Sequence, residues 1–350
     1  MQETPPPSAP GPLMIIGGAE DKLRKRTILK EFVAASGGPG ARIALVPTAS
    51  SLGDEVVEVY DALFRRLGAA EVVPVRPESR DDAHSPALVE AIAGASGIFM
   101  TGGNQLKLSS IICGTPLGRA IVDAHERGAV VAGTSAGASI QSSHMVAFGV
   151  GGATAKQRMT QVAAGLGLVR SAVIDQHFDQ RNRYGRLLMI VAQSPQLLGI
   201  GVDEDTCAVV TFVEGRELLR VIGRGAVTIF DPARMSTNAY EAKRASPLLA
   251  SGVVLHMLPA GACFDLTDRT LVPTEATVDP DDVADIIEAQ HDMRQMARDI
   301  AASDKSPDVL RRRLARTRAA SRAHPANRRS RSDADEQDPR QDPRQDGATA

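Results

Sequence analysis

From residue 12 onward, short apolar runs alternate with longer stretches of helical periodicity. PLMIIGG (12–18) predicts a strand, and EDKLRKRTILKEFVAAS (20–36) an amphipathic helix stopped by Gly37 and Gly38. ARIALVPTAS predicts a second strand, GDEVVEVYDALFRRLG a second helix and EVVPV a third strand. GIFMTGG (97–103) is a fourth strand, helical segments continue through Arg127, and AVVAG (129–133) is a fifth. Continuous Val, Ile and Ala runs separated by helices belong to strands buried on both faces. The expected fold class is therefore α/β, with a mainly parallel, doubly wound sheet flanked by helices. Ligands of such sheets bind beyond the carboxyl ends of the strands. Gly17-Gly18, Thr48-Ala49-Ser50, Gly102-Gly103 and the segment 133–137 all fall there.

After Phe178 the pattern changes. QRNRYGRLLMIVAQSP predicts a helix, LLGIGVDE a strand, and CAVVTFVEGRELLRVIGRGAVTIFD a series of strands and turns. SGVVLHMLPAG and CFDLTDRTLVP complete an antiparallel end. No linker composition interrupts residues 12–278, which reads as one domain. Residues 1–11 are proline-rich and expected to be flexible, and 279–321 form a helical, charged extension. Residues 322–350, with their QDPRQDPRQD run, have too little apolar surface to fold and are expected to be disordered.

Composition narrows the function. Hydrophobic residues at 43% suffice for a core, but aromatics are 3% and Trp is absent. That argues against stacking platforms for carbohydrate or single-stranded nucleic acid. A net charge of -2 leaves no electrostatic footprint for DNA, so no nucleic-acid partner is expected. Cys113, Cys207 and Cys263 form no disulfide framework and no Cys-x-x-Cys metal site, which fits a reducing compartment. The N-terminus lacks a secretory pattern and no apolar run reaches membrane-spanning length. A cytoplasmic protein without membrane contact is expected.

The candidate chemistry sits in Gly133-Thr134-Ser135-Ala136-Gly137, a G-x-S-x-G run at the end of the fifth strand. It is either a tight strand-to-helix turn that needs small residues or a nucleophile elbow presenting the Ser135 hydroxyl. A nucleophilic serine needs a base, and the base needs an orienting carboxylate. Among the histidines, His125 reads as lying on the exposed part of a helix, His84 in a polar loop and His144 at the end of the helix that the elbow starts. His256 reads as a core residue of an apolar strand, and His291 and His324 belong to the C-terminal extension. His177 closes the strand SAVIDQHF and is expected at the same sheet edge as Ser135. Asp203, Glu204 and Asp205 follow another apolar strand, and alternation alone does not say which of them meets the histidine.

FMTGGNQLKL, GTSAGAS, DQHFDQRNRYGRL and GIGVDEDTC, in that order, with IIGGAEDK and VPTASS before them, resemble the cyanophycinases. These belong to a serine peptidase family that also contains peptidase E-type aspartyl dipeptidases. The resemblance covers roughly residues 12–275. It implies a fold similar to class I glutamine amidotransferases and a triad of Ser135 as nucleophile, His177 as base and then acid, and Glu204 as orienting carboxylate. Backbone N–H groups of Gly103 and Ala136 would meet the oxyanion.

The implied substrate is cyanophycin, a polyaspartate with arginine on each side-chain carboxyl through an isopeptide bond. Arg181, Arg183 and Arg186 are expected to clamp carboxylates, Asp175 beside Gln176 to take the guanidinium, and Gln105 to fix the substrate backbone. No metal and no organic cofactor are implied, and a homodimer is expected. A peptidase E-type dipeptidase is the nearest alternative, and a non-enzymatic relative of the same fold a further one. The order Ser, His, Glu and the lack of an HGGG loop distinguish the chain from α/β-hydrolases. Cys113 and Cys207 are misplaced for an amidotransferase nucleophile.

Overall fold

The computed structural model describes residues 9–273; the expectations for 279–321 and 322–350, and for residues 1–8, lie outside the described residues. The apolar runs form the strands β1 (Leu13–Ile16), β2 (Arg42–Val46), β3 (Glu71–Pro74), β4 (Gly97–Met100) and β5 (Val130–Thr134). All five are parallel, in the spatial order β1-β5-β4-β2-β3. Strand period sorts their side chains into two cores. Met14 and Ile16 face α1 (Thr27–Ala35) and α2 (Asp54–Arg66), where Phe32, Tyr60, Phe64 and Phe99 pack ring against ring. Leu13 and Ile15 face α3 (Pro86–Ala93), a helix not read from the sequence, α4 (Gln105–Ile112) and α5 (Pro116–Glu126).

β1 carries the sheet on in the antiparallel sense. After the short helix α6 (Ala136–Ser139) come the hairpin strands β6 (His144–Gly149) and β7 (Thr160–Ala164), then β8 (Ala172–Gln176), α7 (Tyr184–Gln193) and β9 (Leu198–Val202). β10 (Thr206–Val213) pairs with β1 and with β11 (Arg216–Gly223). β12 (Ala226–Asp231), the small pair β13 (Ser236–Thr237) and β14 (Ala250–Ser251), β15 (Val254–Pro259), β16 (Cys263–Asp265) and β17 (Thr270–Val272) complete the chain. The large sheet is thus mixed and nine-stranded, ordered β17-β16-β11-β10-β1-β5-β4-β2-β3. No helix among the described residues is long and apolar enough to cross a membrane.

Four strands, β15-β12-β9-β8, form a second sheet, with β8 and β9 parallel. Ile174, Ile200 and Val202 on one face join the main core, while Val173 and Phe230 on the other pack under α7. His177 therefore does not share a sheet with Ser135. The two sheets instead bring the carboxyl ends of β5, β8 and β9 together.

Three local readings change. The first helix starts seven residues late, because the Asp21 carboxylate accepts the N–H groups of Leu23, Arg24 and Arg26 and holds a loop. His125 is buried rather than exposed, its ring 5.2 Å from Phe212 of β10. His144 opens β6, since the helix after the elbow has only four residues.

Candidate active site

The two glycines around Ser135 are there for contact. A Cβ on Gly133 would fall 2.0 Å from the Gly137 carbonyl oxygen, and one on Gly137 would fall 2.2 Å from that of Met100. The turn can close against β4 only without side chains. Ser135 itself takes φ 52° and ψ -106°, a conformation that costs about 1–3 kcal/mol in a non-glycine residue. Its N–H still donates to Ile16 O at 3.0 Å, which ties the strained residue to β1. The result is an elbow with the hydroxyl held clear of the sheet.

The end of β1 also holds the other two residues. Gly17 donates to Thr206 O and accepts from His177 N–H, and Gly18 O accepts from Asp205 N–H. A Cβ on Gly18, at φ 104°, would lie 2.2 Å from the His177 ring. After His177 (φ 45°) the chain turns under Phe178, whose ring occupies the space that a Cβ on Gly201 would take. These backbone contacts place His177 Nε2 3.0 Å from Ser135 Oγ and Nδ1 2.6 Å from Glu204 Oε1. An ionised carboxylate only accepts, so Nδ1 carries the proton and Nε2 is left to accept from the hydroxyl. Burial pushes the His177 pKa down; the Glu204 hydrogen bond opposes this, and the charges of Arg181 and Arg183 reinforce it. The acidic triplet is divided in roles: Asp203 accepts from Asp179 N–H and Ala226 N–H, and Asp205 from Asp21 N–H.

The Ala136 and Gly103 N–H groups donate to no protein acceptor among the described residues. Gly103, at φ 143°, lies where a Cβ would strike Ala49 O, and a Cβ on Gly102 would come 3.2 Å from Ser135 Cβ. Gln105 donates to Val146 O and meets Gln176 at 3.4 Å, and Gln176 Oε1 lies 3.5 Å from Ser135 Oγ.

The basic run does not behave as one group. Asp175 is fully buried, and Arg186 grips both its oxygens through Nε and Nη2, with Arg183 Nη1 at 3.3 Å. Arg183 also donates to Gln176 Oε1 at 2.8 Å, and Arg186 to Gly149 O at 3.0 Å. Burial lowers the Arg183 pKa to about 10. Asp175 therefore cannot receive a substrate guanidinium, and Arg186 is a buried structural cation rather than a clamp. Arg181 alone of the three is exposed.

One residue escaped the sequence reading. Glu20, in IIGGAEDK, is buried and accepts from the Lys22 ammonium at 2.7 Å, from the Tyr60 hydroxyl and from Thr134 Oγ1 at 2.5 Å. Burial alone raises its carboxyl; the Lys22 charge and these hydrogen bonds outweigh it and set the pKa below the usual value. Thr134 directly precedes Ser135, so Glu20 links the elbow to α2. Its only signal in the sequence is an acid placed two residues after a strand-end Gly-Gly.

Known proteins are similar to this chain over most of its length. Cyanophycinase from a Nostoc species is 39% identical over 264 residues, covering 75% of this chain and 87% of the relative. Cyanophycinase from Synechococcus elongatus is 39% identical over 258 residues, 73% of this chain and 79% of the relative. The fold is similar to a solved peptidase from an acI-B1 Actinobacterium, with a TM-score of 0.52 at 23% identity, covering 71% of this chain and 98% of that one. Residues 13–218, a stretch that contains Ser135, His177 and Glu204, match peptidase family S51, and the chain belongs to that family.

Proposed function

We propose that the chain is a serine-type exopeptidase that hydrolyses the polyaspartate backbone of cyanophycin and releases β-aspartyl-arginine dipeptides. The observation that carries this reading is the unbroken hydrogen-bond chain from Ser135 Oγ through His177 to Glu204. Ser135 Oγ attacks the carbonyl carbon between two aspartyl units while His177 Nε2 takes the hydroxyl proton. A His177 pKa below its ordinary value keeps the ring neutral and ready to accept at neutral pH. The oxyanion is met by the Ala136 and Gly103 N–H groups, whose donor capacity no acceptor among the described residues uses.

The C–N bond then breaks as His177 returns the proton to the leaving amine. Water, deprotonated by His177, cleaves the acyl ester and restores Ser135. Glu204 accepts from Nδ1 throughout and stabilises the transient imidazolium. Substrate carboxylates meet Arg181, and the Gln105 and Gln176 amides align the substrate backbone. No metal or organic cofactor enters these steps, and the enzyme is read as a cytoplasmic homodimer. The substrate assignment is supported by relatives named cyanophycinase over most of their length.

Purified protein incubated with insoluble cyanophycin granules should clear them to an aspartyl-arginine dipeptide identified by mass spectrometry, and Ser135→Ala should not. Intact granules beside cleavage of short aspartyl peptides would favour the dipeptidase reading instead.

A further inference from the structure

With Asp175 closed off by two arginines, the cation of the proposed substrate needs another partner. A cleft of about 340 Å³ opens at Ser135 and contains none of those arginines. Its lining includes Lys22, Leu52, Glu55, Val56 and Val59. Leu52 is 60% exposed and Val59 51% exposed, so two large apolar side chains face water directly beside the elbow. The charge balance of the cleft is uneven. The Lys22 ammonium is neutralised by Glu20 at 2.7 Å and lies 5.2 Å over the Tyr60 ring. On α2, Asp54 pairs with Arg76, and Asp61 with Arg65. Glu55 has no ion pair among the described residues, although it stands in the same first turn as Asp54.

An apolar wall ending in an unpaired carboxylate fits a side chain with an apolar stem and a cationic head. Resting on the function read above, we propose that this cleft binds the arginyl side chain of an aspartyl unit next to the scissile bond. The stem lies on Leu52, Val56 and Val59, and the guanidinium meets the Glu55 carboxylate. A planar guanidinium can engage a carboxylate through two parallel hydrogen bonds, which a neutral isostere of the same shape cannot reproduce as strongly.

The test compares short β-aspartyl-arginine peptides with their citrulline counterparts, in which a neutral urea group replaces the guanidinium. The wild-type enzyme should prefer arginine by about tenfold in kcat/KM, the size expected for one charge-assisted contact. Glu55→Gln should remove the preference by lowering the arginine rate alone, with an unchanged melting temperature because Glu55 is exposed. Leu52→Ser should slow both peptides alike. Equal wild-type rates on the two peptides, or a preference retained in Glu55→Gln, would overturn the assignment while leaving the exopeptidase reading in place. Cleavage of neither peptide would overturn that reading and the cleft with it.

Discussion

Two charged regions meet at Ser135, and they are built on opposite plans. Around Asp175, one carboxylate and the Arg183 and Arg186 guanidinium groups are sealed from water and committed to each other. Around α2, Glu55 stands exposed and unpaired among the described residues, beside the exposed Leu52 and Val59. A buried ion network holds geometry, because its carboxylate has both oxygens committed to its own cations. An open apolar wall with one free charge offers recognition and holds little. In the sequence the first region looks like the binding site and the second like an ordinary helix start. Burial takes the Asp175 carboxylate out of that role, and the proposed reading gives the cation to the second region.

Removing the Ser135 hydroxyl has the largest expected effect. Ser135→Ala should lower kcat on any substrate by a factor on the order of 10⁶ while leaving the fold intact. Next comes Asp175→Asn, which leaves two buried guanidinium groups without their counter-charge. Loss of one member of a buried ionic cluster costs about 3–5 kcal/mol, measurable as a fall in the urea midpoint. Glu55→Gln, an exposed change, should stay within about 0.5 kcal/mol. Equal stability losses in the two variants would erase the distinction between the regions.

Glu20 stands between these extremes, buried like Asp175 but lining the cleft. Glu20→Gln should cost about 1–3 kcal/mol at neutral pH, the range for a buried charged group deprived of its role. The sign of the pH dependence follows from its lowered carboxyl. Its contribution is fully present above the unfolded value near 4.5 and is lost as pH falls through the lower folded value. The stability gap between wild type and Glu20→Gln should therefore be constant above about pH 5.5 and close in acid. A gap independent of pH would show that Glu20 acts through packing and not through charge.

How much of this was legible depended on how local the cause was. The elbow could be read because Gly133 and Gly137 contact each other across four residues. Four of the five parallel strands could be read because they are buried on both faces, and the edge strand β3, only partly buried, because its short Val run is bounded by the Gly68 turn and Pro74. His177 and Glu204 were readable as strand-end residues, but their sheet was not. β9 pairs with β12, residues 226–231, and nothing in GIGVDE announces that partner. Asp175 misled in a different way: Arg183 and Arg186 lie only 8 and 11 residues on, but the run does not show that the chain folds them back onto the carboxylate, nor that Arg186 reaches the Gly149 carbonyl of a separate strand. His125 sits at the end of a helix and reads as solvated, until Phe212 of a distant strand covers it. Glu20 gave almost no signal, because its partners Tyr60 and Thr134 lie on separate elements.

The smallest effect separates Arg181 from its two buried neighbours. Its exposed charge is one of the causes that lower the His177 pKa, after burial. In the proposed mechanism His177 must be neutral to accept the Ser135 proton, so the acid limb of kcat/KM should lie below the ordinary histidine value of 6.5. Arg181→Gln removes a positive charge near the ring, makes protonation easier and should move that limb to higher pH. Arg181→Lys keeps the charge and should keep the limb. Because an exposed charge is screened by salt, raising the ionic strength should move the wild-type limb in the same direction and leave Arg181→Gln nearly unaffected. If the glutamine and lysine variants shared one profile, Arg181 would act on substrate binding through its shape and not on the base through its field. Its KM, rather than its pH limb, would then be the quantity that changes.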